Sequence, residues 1–182
     1  MHFQTALENL RMKKLIAACV LAAATLPAAA TAGEGYFGVQ YGTFSSEDAD
    51  MGNLGISGGM KINDNVAVEA MYTTTIQEED LGGGDSLSVS GFGVFLKAQS
   101  PGDVYVNGRI GVSKVDYDID LTGSWGFKMA EDANGLTFGL GVGAKIADNA
   151  SVELQYTKFP DLDLGGVTFA NDMIAVGLNF SM

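Results

Sequence analysis

The stretch Gly135-Leu136-Thr137-Phe138-Gly139-Leu140-Gly141-Val142-Gly143-Ala144-Lys145-Ile146 decides how this chain is read. Its residues alternate. Leu136, Phe138, Leu140, Val142, Ala144 and Ile146 fall on one parity; Thr137, Gly139, Gly141, Gly143 and Lys145 fall on the other. Successive side chains of a strand point to opposite faces, so one face is bulky and apolar and the other is small and polar. A soluble barrel turns its apolar face inward and needs a well-solvated exterior. The second face here is too rich in glycine for that. It suits the crowded interior of a narrow barrel, with the apolar face turned to lipid. Hydrocarbon offers the backbone no hydrogen-bond partner, so such strands must close into a barrel.

The same alternation recurs in Leu54, Ile56, Gly58, Met60, Ile62 and in Ile174, Val176, Leu178, Phe180, Met182. Period-2 patterning predicts strands at about 35–45, 53–62, 66–76, 87–98, 104–117, 135–146, 151–159 and 172–182. The 87–98 strand is irregular: Leu87 and Val89 share one parity, Phe92, Val94 and Leu96 the other. A bulge near Ser90-Gly91 or a misread register would each account for it. Short turns at Asn63-Asp64-Asn65, Ser100-Pro101-Gly102-Asp103 and Ala147-Asp148-Asn149 alternate with longer connections at 46–52, 77–86, 118–134 and 160–171. Segregated short turns and long loops are a habit of outer-membrane barrels. Gly59-Met60-Lys61-Ile62-Asn63-Asp64-Asn65, followed by Val68-Glu69 and Tyr72, is echoed by Gly143-Ala144-Lys145-Ile146-Ala147-Asp148-Asn149, Val152-Glu153 and Tyr156. This implies two equivalent hairpins on opposite sides of a closed barrel. The expected fold is therefore all-β: an eight-stranded antiparallel up-and-down transmembrane β-barrel, preceded by a signal peptide.

Residues 1–32 read as an N-terminal extension plus signal peptide. Lys13 and Lys14 form a basic region, Leu15 to Leu26 an apolar one, and Ala30-Thr31-Ala32 a small-x-small cleavage site. Cleavage after Ala32 would leave residues 33–182 as the barrel, and Met12 is the more ordinary start. The apolar run is shorter than the roughly 20 residues of a helical membrane span. Ile16-Ala17-Ala18-Cys19 resembles a lipoprotein box, but the spacing from Lys14 leaves no apolar region before the cysteine. Cleavage after Ala32 removes both Cys19, the sole cysteine, and His2, the sole histidine. Histidine-dependent triads, Cys–His pairs and His- or Cys-ligated zinc sites are then excluded. No cofactor or metal site is expected, and no catalytic residue is assigned, although carboxylate-based hydrolysis is not excluded by composition. The net charge of −12 argues against nucleic acid as a partner.

Strand parity places Lys61, Glu69, Lys97, Arg109, Lys145 and Glu153 in the lumen beside Gln40, Asn107 and Gln155. Charges held away from water pair, so Glu69 and Glu153 are expected partners of Arg109 and the lysines. Such a network plugs the lumen or gates a narrow pore. An eight-stranded interior is just wide enough for side chains, which favours the plug. Glu47, Asp48, Asp50, Glu78, Glu79, Asp80, Asp85, Asp118, Asp120, Glu131, Asp132, Asp161 and Asp163 crowd the long connections. They read as solvated loops, or as carboxylates that bridge through divalent cations to lipopolysaccharide phosphates.

The terminal series Ile174, Val176, Leu178, Phe180, Met182 resembles the C-terminal signal read by the outer-membrane barrel-insertion machinery. That signal usually ends in an aromatic residue; here Met182 is last and Phe180 stands two before it. With the repeated Lys-Ile-x-Asp-Asn hairpin, residues 35–182 look like the small outer-membrane β-barrel family that includes OmpX and the membrane domain of OmpA. The resemblance implies location in the cell outer membrane, contact with its lipid and lipopolysaccharide, and a structural or surface-interaction role without enzymatic activity. A narrow channel for small solutes is the alternative.

Overall fold

A computed structural model describes residues 34–46, 49–164 and 167–182. The expected targeting segment, its cleavage site and Cys19 lie outside the described residues. Nine segments of strand follow one another: β1 Gly35–Ser46, β2 Ala49–Asn63, β3 Val66–Gln77, β4 Glu79–Gly82, β5 Asp85–Gln99, β6 Val104–Leu121, β7 Phe127–Ala147, β8 Ala150–Leu164 and β9 Val167–Ser181. All pairings are antiparallel and sequential. β1 pairs with β9, and β3 with β5, so the sheet closes on itself. β4 continues β3 along β5 past Glu78, so the nine segments form eight staves.

The faces follow the alternation in the lower part of the barrel. Val106, Ile110, Val112, Leu136, Leu140, Val142, Leu154, Ile174 and Val176 are exposed on the outside, while the opposite parity is buried. This band ends abruptly. The next outward residues towards the long connections are Thr43, Thr74, Ser90, Lys114, Asn134, Lys158 and Asp172. Tyr41, Tyr72, Phe92 and Tyr156 stand exposed at that border. Phe37 stacks on Phe180, with ring centroids 5.1 Å apart, near the short-turn border. Aromatic residues at the borders of the apolar band are what a lipid interface selects.

Above the upper border the faces invert. On β6, Lys114, Asp116, Asp118 and Asp120 point outward, and Val115 and Tyr117 are buried inside. Phe44, Met51, Met71, Val89, Val115, Tyr117, Ala133, Phe159, Leu162 and Met173 form one apolar cluster there, with Phe44 and Phe159 rings 5.5 Å apart. The barrel is thus inside-out in lipid and ordinary in water.

This inversion corrects two sequence readings. β5 runs from Asp85 to Gln99 in unbroken register with β6, so there is no bulge at Ser90-Gly91. Val89 shares the parity of the lumen because it belongs to the upper apolar cluster. The long connections are also mostly strand. β6 and β7 extend to Leu121 and Phe127, leaving residues 122–126 as the turn. The alternation Val115-Asp116-Tyr117-Asp118-Ile119-Asp120-Leu121 had carried that signal, with polarity reversed. At 21 residues, β7 spans about 50 Å after tilt, roughly twice the apolar band.

Candidate functional site: the lumen and the external hairpins

The repeated hairpin builds the lumen from two similar units. Tyr36, Gly59 and Glu69 occupy one row across β1, β2 and β3; Tyr105, Gly143 and Glu153 occupy one row across β6, β7 and β8. Each tyrosine lies over the glycine and reaches the glutamate beyond it. Tyr36 Oη donates to Glu69 Oε2 at 2.8 Å, and Tyr105 Oη donates to Glu153 Oε1 at 2.8 Å. A Cβ on Gly59 or Gly143 would stand 2.4 Å from the ring of Tyr36 or Tyr105. Hence glycine is required in both rows. We predict that Gly143→Val displaces the Tyr105 ring and costs about 1–3 kcal/mol, the usual penalty of overpacking. Urea titration of the refolded barrel, with tyrosine fluorescence as the reporter, measures it.

Between these units the cations interlock. Arg109 Nη1 lies 3.1 Å from Glu69 Oε1, and Lys97 Nζ lies 2.9 Å from Glu153 Oε2 and 3.7 Å from Glu69 Oε2. Arg109 also donates to Thr157 and stands over the Phe95 ring at 5.1 Å. All four charged side chains are buried. Lys61 and Lys145 are placed differently. Lys61 bonds Glu34 at 2.6 Å, and Lys145 lies 3.6 Å from Asp103, both near the short turns with their side chains partly in water. Both sit at the short-turn mouth and not at the buried level, because the lumen opens to solvent at that end. Of the neutral residues, Asn107 and Gln155 are buried, and Gln40 Nε2 lies 3.2 Å from Met71 Sδ.

A cavity of about 410 Å³ opens at the short-turn end and has Tyr36, Lys97, Tyr105 and Glu153 among its lining residues. Above the ion pairs, Asn53, Thr73, Ser113, Thr137 and Thr157 form a buried polar tier, and the apolar cluster lies over it. The sequence reading missed that cluster. Its signal was apolar residues on lumen parity, which looked like errors of register.

On the outside, the β6–β7 hairpin carries Asp116, Asp118, Asp120 and Asp132 against Lys114 and Lys128. Hydrogen bonds from Lys128 and Thr122 hold the Asp120 carboxyl down at about 2. Since this folded-state value lies below the ordinary carboxylate range, the contacts are present at neutral pH and are lost as pH falls through about 2. We expect Lys128→Ala to move the Asp120 titration, read by carbonyl NMR, up towards 3.8. Among the described residues, no group of three or more His, Cys, Asp or Glu is arranged to hold a metal ion.

A closed antiparallel barrel with a lipid-facing apolar band, aromatic borders and a polar lower lumen defines a transmembrane barrel of the outer-membrane type. The family profile described as "Outer membrane protein beta-barrel domain" matches residues 15–181, and the chain belongs to that family. Its place is the cell outer membrane. No curated protein sequence matches it significantly. Among solved structures it is similar to neisserial surface protein A, with 16% identity, a TM-score of 0.63, and 82% of this chain and 96% of that one covered. The N-terminal barrel of Pseudomonas aeruginosa OprF is 10% identical with a TM-score of 0.61, covering 83% and 100%. Yersinia pestis Ail, solved with the heparin analogue sucrose octasulfate, is 13% identical with a TM-score of 0.53, covering 81% and 97%.

Proposed function

We propose that this barrel does not conduct and is not an enzyme, and that it serves as a surface platform whose acidic external half meets partners outside the cell. The observation that carries the reading is the pair of buried levels stacked inside the barrel. The buried Glu69–Arg109 and Lys97–Glu153 pairs lie at one level and the Phe44–Phe159 cluster lies above them, which supports a lumen closed twice. Short turns face the periplasm in this class, so the inverted, charged half stands outside. Its exposed carboxylates include Glu78, Asp116, Asp118 and Asp132. They suit divalent-cation bridges to lipopolysaccharide phosphates, and cationic rather than polyanionic partners. A sulfated sugar such as the one held by Ail is therefore a poor candidate here. Consistent with a non-enzymatic role, no histidine or cysteine follows Ala32.

Insertion belongs to the same reading. Ile174, Val176 and Leu178 line the outer face of β9, with Phe180 half-buried and Met182 exposed at its end. We assign this row as the signal for the insertion machinery, and Gly33 as the mature N-terminus. Amino-terminal sequencing of the membrane-extracted protein checks the latter.

The rival, a narrow solute channel, draws support from the cavity that ends at Lys97 and Glu153. Planar-bilayer recording separates the two. The platform reading expects no steady unitary current; resolved openings that change with Phe44→Ala would establish the channel instead.

A further inference from the structure

β7 is paired with β6 from Phe127 to Ala144 and with β8 over only about half of its length. Its ladder with β6 runs from Val104↔Ala144 to Leu121↔Phe127, but its ladder with β8 stops at Phe138↔Lys158. Among the described residues, no strand pairs with the outer side of β7 above Phe138.

The phase of the ladder tells which groups are left. Lys145 N–H donates to Asp103 O at 2.8 Å, which makes the odd positions of β7 the ones bonded to β6. Bonded and non-bonded pairs alternate along an antiparallel ladder. The backbone N–H and C=O of Lys128, Ala130, Asp132 and Asn134 therefore point away from β6, towards the open side. The side chains of these residues are exposed.

The cause is Pro160. Continuing the register, the next bonded pair after Phe138↔Lys158 is Leu136 with Pro160. Proline has no N–H to give. Its carbonyl is taken by Asn171 Nδ2 at 2.7 Å, and β8 shifts register against β9 between Phe159 and Leu162. A bulged strand bends, and here the ladder to β7 ends. Pro160 packs beside Gly135, so the free edge begins at Asn134.

We propose that the edge of β7 from Lys128 to Asn134 is a strand-addition site for an extended polypeptide whose residues alternate basic and apolar. An added strand would satisfy the open backbone groups. Its inward side chains would meet Phe127 and Met129, which are 45% and 38% exposed, near Trp125 at 75%. Its outward side chains would meet Asp132 and, one strand further, Asp116, Asp118 and Asp120, four carboxylates against the two cations Lys114 and Lys128 on that face. This proposal rests on the surface-interaction reading and names its mode.

The test uses the full chain in lipid nanodiscs and the capped peptide Lys-Val-Lys-Val-Lys-Val-Lys as probe. Without peptide, the amides of Ala130, Asp132 and Asn134 should exchange fast while those of Met129, Glu131 and Ala133 are protected by β6. With peptide, the first set should slow by about tenfold or more, as newly bonded amides do. Ala130→Pro removes an edge donor without touching the β6 ladder, and should abolish both binding and protection; Ala130→Thr should retain them. Binding without protection of these amides, or equal binding by Ala130→Pro, overturns strand addition and leaves attraction to an acidic surface. Absence of binding to the unaltered protein overturns the site.

Discussion

Arg109→Leu is expected to lower the unfolding free energy of the refolded barrel by about 3–5 kcal/mol, the usual result of removing one member of a buried ion pair. Glu69 has the most to lose. It is almost wholly buried, and the Arg109 guanidinium, Lys97 ammonium and Tyr36 hydroxyl converge on its carboxylate. Without Arg109, one oxygen keeps no close cation, and Lys97 is already committed to Glu153 at 2.9 Å. Thr157 loses its partner as well. The double variant Arg109→Leu with Glu69→Leu should recover part of the loss, because it removes the stranded charge together with its partner. Urea titration in detergent micelles reads both. An unchanged midpoint for the single variant would mean that the lower lumen draws no stability from this pair.

Leu140→Arg tests the opposite face. Leu140 is 67% exposed and sits midway along the apolar band of β7. An arginine facing lipid at that depth should cost about 2–4 kcal/mol. A soluble barrel with Leu140 inside would also suffer, so stability must be joined to accessibility. A spin label at residue 140 in bilayers should be relaxed by oxygen and protected from an aqueous nickel reagent; the reverse would refute the lipid-facing assignment. Gly141 is no lumen-side control for this experiment. A Cβ there would stand 2.5 Å from Gln155 Oε1 and 2.9 Å from the Leu154 carbonyl oxygen.

The contrast between the two sites shows how far a one-dimensional pattern reaches. Alternation in residues 135–146 reports which face is apolar, because side-chain direction follows from strand geometry alone. Lipid on one face then requires closure, and the turn residues at 63–65, 100–103 and 147–149 set the strand count. Location and architecture were legible in that way, and the structure buries Glu69, Lys97, Arg109 and Glu153. Lys61 and Lys145 share the same parity, yet they sit at the open mouth with Glu34 and Asp103.

What the sequence determined by itself was direction: apolar out, polar in, eight staves, one membrane-spanning barrel. What the tertiary structure alone decided was height, and everything that depends on it. Stagger between tilted strands sets which residues share a level, and it is a property of the closed sheet rather than of any one strand. Level is what brings Tyr36 over Gly59 to Glu69, and Tyr105 over Gly143 to Glu153. It also gathers Phe44, Val89, Val115 and Phe159 from distant segments into one cluster. There the surroundings change from lipid to water and the preferred faces exchange. The same register puts Pro160 opposite Leu136, where a missing N–H ends the ladder and leaves the upper edge of β7 without a paired strand among the described residues.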